Sequence, residues 1–97
     1  MGWLEFLLGA ALAAGAAYLV VKTVSYFVDR SRLREIMIEQ KNEKNLNNVV
    51  KSCIKNNDGH ECTFDFMDSF NNSVGSGKVS STGGITKDVQ QGDVIWL

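Results

Sequence analysis

The chain has no proline, only two cysteines and almost no net charge, −1 from ten Lys and Arg against eleven Asp and Glu. Each shortage excludes something. Without proline no backbone amide donor is missing, so a long helix can run uninterrupted. Two cysteines, Cys53 and Cys62, are too few for a disulfide framework. The charge balance gives no electrostatic footprint for nucleic acid. Charge is missing most conspicuously from one stretch: between Phe6 and Val21 there is no charged residue, no Asn and no Gln. The mean hydropathy of −0.08 therefore averages two unlike parts, an apolar start and a polar remainder with scattered aromatics.

What is present begins with that apolar stretch. A helix from Trp3 to Val28 would be about 39 Å long, enough to span a bilayer. Glu5 and Lys22 sit near its ends, where Lys22 can snorkel, and Trp3 and Tyr26 are placed for the two interfaces. A basic cluster follows, Lys22 and then Arg30, Arg32 and Arg34. The excess of positive charge after the helix predicts a single-pass membrane protein with its amino terminus outside and its carboxyl-terminal domain in the cytoplasm. A cleaved secretory signal is the competing reading. Ala14-Gly15-Ala16 resembles a cleavage site, but Glu5 stands where a basic start is expected. Met1-Gly2 does not complete a myristoylation motif, because Phe6 replaces the required Ser or Thr. Small residues recur at four-residue spacing, Gly9, Ala13 and Ala17 on one row and Ala11 and Gly15 on another. Such rows allow close helix approach and suggest a homo-oligomer through the transmembrane helix.

Residues 29–47 read as a juxtamembrane helical stalk continuing that helix. Leu33, Ile36, Met37 and Gln40 fall at i, i+3, i+4 and i+7, Arg32 can pair with Glu35 one turn on, and Asn45, Asn47 and Asn48 supply an end. The arginines are also candidates for contact with anionic headgroups.

From residue 48 the period changes to two. Val49 to Asn56 is rich in β-branched residues, and Thr63 to Phe70 alternates with Phe64, Phe66 and Phe70 on one face. Asn57-Asp58-Gly59 suits a three-residue hairpin loop with glycine in the left-handed place. That loop pairs Asn56 with His60, Ile54 with Cys62, Ser52 with Phe64 and Val50 with Phe66. Cys62 then faces the core and Cys53 the other side, so the two are not bonded to each other. Asn71-Asn72 predicts a turn into a third strand near Val74 to Ser80, where Gly75 and Gly77 leave room for opposing phenylalanines. Gln91-Gly92-Asp93 predicts a turn before a last strand, Asp93 to Leu97. The fold class expected is α+β: one transmembrane helix, a helical stalk, and a small four-stranded antiparallel meander over 48–97, open or curled towards an SH3-like barrel. The Gly-Asp turn before a short apolar strand carries the barrel analogy at fold level only.

No constellation for catalysis emerges. His60, Cys53, Cys62, Asp58 and Glu61 offer too few well-directed ligands for a structural zinc. Cys62 beside His60 has no third group to orient the imidazole. Gly75-Ser76-Gly77-Lys78-Val79 fails as a phosphate-binding loop, with Asn72 in place of the first glycine and Val79 after the lysine. No cofactor and no metal are implied. The expected function is that of a non-enzymatic, membrane-anchored interaction or scaffold protein, its partners the bilayer, a second copy and an unidentified protein. A membrane-active oligomer, holin-like or toxin-like, is the alternative.

Overall fold

The computed structural model describes residues 18–97. The elements run β1 (Val20–Val24), α1 (Arg30–Glu43), β2 (Val49–Asn57), β3 (Glu61–Asp68), β4 (Ser73–Ser81) and β5 (Val94–Trp96). They form one five-stranded mixed sheet in the order β1-β4-β3-β2-β5. β1 runs parallel to β4, and the other neighbours are antiparallel.

The first strand overturns the expected helix over Trp3 to Val28. Val20, Val21, Thr23 and Val24 are β-branched, and such side chains fit a pleated strand better than a helical turn. Val20 is buried in the core, the following bend leads to a parallel bridge between Val28 and Ile85, and Asp29 opens a separate helix. Among the described residues no helix is long and apolar enough to cross a membrane. The transmembrane helix and the single-pass membrane localisation drawn from it, amino terminus outside and β domain cytoplasmic, are therefore corrected. The four-stranded meander, curled or open, is corrected too: the sheet is open, has five strands, and takes its fifth from the stretch expected to be helical.

Helix α1 is local chemistry in agreement with packing. Asp29 caps it, its Oδ1 accepting from the Arg32 amide at 2.8 Å. It ends where Asn45 adopts a positive φ of 56°. Its buried stripe is Leu33, Ile36, Met37 and Gln40, the set the sequence spacing selects. The Arg32–Glu35 pair forms at 3.7 Å with both side chains exposed, so it contributes about 0.5 kcal/mol or less.

A single core gathers one face of the sheet beneath α1. Cys62, Phe64 and Phe66 of β3, Ile54 of β2, Val79 of β4 and Ile95 of β5 join Leu33, Ile36 and Met37. Phe64 and Phe66 meet edge to face at 5.2 Å between ring centroids. Full burial of each contributes on the order of 2 kcal/mol. Gly77 lies opposite Phe64, and a Cβ there would stand 2.5 Å from the ring, so a side chain at this strand position would have to displace it.

The hairpin forms where the sequence places it, with a shifted register. Ile54 pairs with Phe64, Ser52 with Phe66 and Cys53 with Asp65. The turn is tighter than expected: the Asp58 amide bonds to the Glu61 carbonyl at 3.1 Å, and Gly59 takes φ +96°. An irregularity between Ile54 and Asn56 then resets the ladder. The net slip is even, so Ile54 and the two phenylalanines keep a common face. Val49, past a second irregularity, is buried in place of Val50, and Phe70 is exposed in the following turn instead of joining the core. Cys62 is buried and Cys53 lies half-buried on the other face; both are free.

Candidate functional site

An open sheet has two borders, and here they differ. At β5, the Ile54 amide bonds to the Asp93 carbonyl at 2.9 Å and the Leu97 amide to the Val50 carbonyl at 3.0 Å. Alternation along the strand turns the main chain of Val94 and Trp96 outward. Both outward carbonyls are taken. Arg30 Nη2 donates to the Val94 carbonyl at 3.4 Å, and Arg34 Nε donates to the Trp96 carbonyl at 2.7 Å. Arg30 also approaches the Asp93 carboxylate at 4.0 Å. Two arginines one helical turn apart thus cover the acceptors that an added strand would need.

At β1 the orientation of the inner ladder follows from two bonds, and just ahead of the strand the Leu19 amide also donates to the Ser76 carbonyl of β4 at 2.7 Å. The Ser81 amide donates to the His60 carbonyl at 2.8 Å, which turns the even-numbered residues of β4 towards β1. The Thr82 amide donates to the Val24 carbonyl at 3.1 Å. Val20, Lys22 and Val24 therefore face β4 with their main chain, and Val21 and Thr23 face outward. Among the described residues no side chain or loop bonds to the main chain of Val21 or Thr23. The Val21 side chain is 60% exposed, and Tyr18, Leu19, Tyr26 and Phe27 near the strand ends are exposed as well. Among the described residues this border is uncovered, and its flanks are apolar.

The basic residues singled out from the sequence act within the fold. Lys22 lies half-buried in β1. Arg32 stacks its guanidinium 4.8 Å from the centre of the exposed Tyr26 ring. Arg30 and Arg34 cap β5, a role the sequence signals only through their i, i+4 spacing, because Val94 and Trp96 lie more than sixty residues away. Trp3 and the small residues Gly9, Ala11, Ala13, Gly15 and Ala17 lie outside the described residues.

The chemistry-bearing side chains do not converge. Among the described residues no three or more His, Cys, Asp or Glu side chains are grouped to hold a metal ion. Burial pushes the Cys62 thiol up to about 12, which suppresses its nucleophilic form. His60 Nδ1 lies 3.1 Å from the Ser81 carbonyl. Asp58 is spent on its turn: Oδ1 accepts from the amides of His60 at 2.9 Å and Glu61 at 2.8 Å, and the His60 bond foremost holds its carboxyl below the ordinary range. A polar cleft of about 430 Å³ beside the hairpin tip is lined by Asn56, Asn57, Lys87 and Gln90 among others. Asn57 is committed to the fold there, donating to the carbonyls of Thr86 at 2.9 Å and Val89 at 2.7 Å. Lys78–Glu61 at 3.2 Å and Lys55–Asp65 at 3.8 Å place paired charge on the face of the sheet opposite the core. Among the described residues, the outward main chain of Val21 and Thr23 has no partner within the fold. Comparison of the chain with family models, with curated proteins and with solved structures gives no match.

Proposed function

We propose that the chain is a non-enzymatic interaction module that receives an extended polypeptide segment along the border of β1. The observation carrying this reading is the contrast between the two borders: arginines occupy the outward carbonyls of β5, while Val21 and Thr23 present an outward main chain with no partner among the described residues. An added strand recovers main-chain hydrogen bonds that water otherwise satisfies, and alternate side chains give it selectivity. Val21, exposed on the uncovered face, is the side chain such a strand meets first.

The test is a selection of short peptides from a random library, followed by amide chemical-shift mapping on the full chain. Selected peptides are expected to perturb Val21, Thr23 and their neighbours in β4. Peptides that map to β5 or to the 430 Å³ cleft instead, or a selection that yields none, would overturn the reading.

A further inference from the structure

We infer that Lys22 sets the specificity of the β1 border: it admits an extended segment with an acidic central residue and disfavours one whose central residue is apolar or basic. This rests on the border reading above and adds the chemistry of the partner.

The first argument is extent. Ahead of the strand the Leu19 amide already donates inward to the Ser76 carbonyl at 2.7 Å. Past its other end the Tyr26 carbonyl accepts from the Ser81 hydroxyl. Between these limits Val21 and Thr23 turn their main chain outward, with Lys22 between them. An antiparallel segment, the more stable ladder per residue, makes a hydrogen-bonded pair with each of the two. Its intervening residue then stands opposite Lys22 in a non-hydrogen-bonded pair, where side chains come closest. So brief a ladder leaves selection to that side-chain pair.

The second argument is charge. Lys22 lies half-buried on the face of β1 that carries Val20 into the core and packs Val24 against it. The other lysines of the sheet have partners. Lys55 pairs with Asp65, Lys78 pairs with Glu61, and Lys51 donates to Asn71 and lies over the Trp96 ring. Among the described residues Lys22 forms no ion pair. A segment laid on the border takes water from one side of that ammonium. An apolar or basic residue opposite leaves it less solvated and unpaired, whereas a carboxylate opposite replaces the lost water with opposite charge. A lysine turned to the inner face is one of the devices that keep an edge strand from pairing indiscriminately. Here one side chain supplies both the refusal and the exception. Val21 and Thr23 are exposed and β-branched, and residues of the same kind suit the positions opposite them. The segment is therefore an acidic residue between two β-branched ones.

Titration of the full chain with end-capped peptides, followed by amide chemical shifts, tests this. The peptides are Ser-Val-Glu-Val-Ser and its analogues with Lys or Leu at the centre. The glutamate peptide should perturb Val21 and Thr23 and bind about fivefold tighter than either analogue. Lys22→Glu should reverse the order of the two charged peptides and Lys22→Gln should bring them level, each variant keeping the wild-type far-UV spectrum. Rising salt should weaken the glutamate peptide on the wild type and leave the leucine peptide unaffected. Val21→Pro removes an outward amide donor, leaves the inner ladder in place, and should weaken all of them alike. Equal affinity for the two charged peptides on the wild type, or a preference for glutamate that survives in Lys22→Gln, would overturn the inference. Where that happens while peptides still perturb Val21 and Thr23, Lys22 loses its role and the border reading stands. If no peptide of any charge reaches Val21 and Thr23, both fall.

Discussion

Gly77 is where one missing atom sets the packing of the core. A Cβ built there stands 2.5 Å from both Cε1 and Cζ of Phe64, a fully buried ring that would have to shift. Gly77→Ala should therefore destabilise the fold by about 1–3 kcal/mol, the cost of overpacking, and a chemical denaturation curve would show it as a lowered midpoint with an unchanged slope. The two cysteines give a second residue-scale expectation. Cys62 is buried with its thiol pushed up to about 12, whereas Cys53 is half-buried on the other face of the sheet. A thiol reagent at mildly alkaline pH should label Cys53 alone in the native protein, with Cys62 reacting only after denaturant is added. Labelling of both at equal rates, read by mass spectrometry, would contradict the assigned faces. That opposite-face placement was legible in the sequence because alternation along a strand is a local property. An even slip of the ladder, such as the one introduced around Ile54 and Asn56, leaves it intact.

At the scale of elements, the turns carry the pH dependence. Asp58 accepts amide bonds from His60 and Glu61, and Asp68 accepts them from Asn72 at 2.9 Å and Phe70 at 2.9 Å. The bond from His60 lowers the Asp58 carboxyl first and that from Asn72 the Asp68 carboxyl first, both below the ordinary value of about 3.9. A depressed folded value means the carboxylate form is favoured by folding. The contribution is complete above the unfolded value and is lost as pH falls through the folded one. Stability should thus hold near neutrality and decline in acid. Asp58→Asn with Asp68→Asn, which removes both protonations, should flatten the acid limb of a stability-against-pH curve. The same scale marks the limit of what the sequence discloses. The α1 stripe, the hairpin turn at Gly59, the strand over Ser73–Ser81 and the turn at Gly92 each have a local signature in period, cap or positive φ. The neighbours of β1 and β5 have none. Val20–Val24 follows directly on an apolar run, and its β-branched residues are outweighed by the hydropathy of what precedes them. Its pairing with Gly77–Ser81 is a contact across more than fifty residues that no short window contains. Periodicity shows that a strand exists, not which strand lies beside it.

For the whole molecule, the sheet borders matter more than the clefts. The strand order β1-β4-β3-β2-β5 puts the first and last of the described strands at opposite borders, and α1, which follows β1 in sequence, sends Arg30 and Arg34 to the far one. Removing that cover should make the far border adhesive. Arg30→Ala with Arg34→Ala is expected to leave α1 folded, since neither side chain belongs to its buried stripe, and to add concentration-dependent association that Val21→Pro does not suppress. Light scattering on the double variant, alone and combined with Val21→Pro, separates the two borders. An unchanged scattering profile would mean that the arginines pack against β5 without guarding it.

The arginine cover also sets a count. A sheet that can be extended at one border only has a valency of one, and units of valency one terminate when they meet. A sheet extended at β1 would present at its other border a β5 whose outward carbonyls are already occupied by Arg30 and Arg34. Growth into a fibre needs two live ends on every unit, and Arg30 and Arg34 remove one of them.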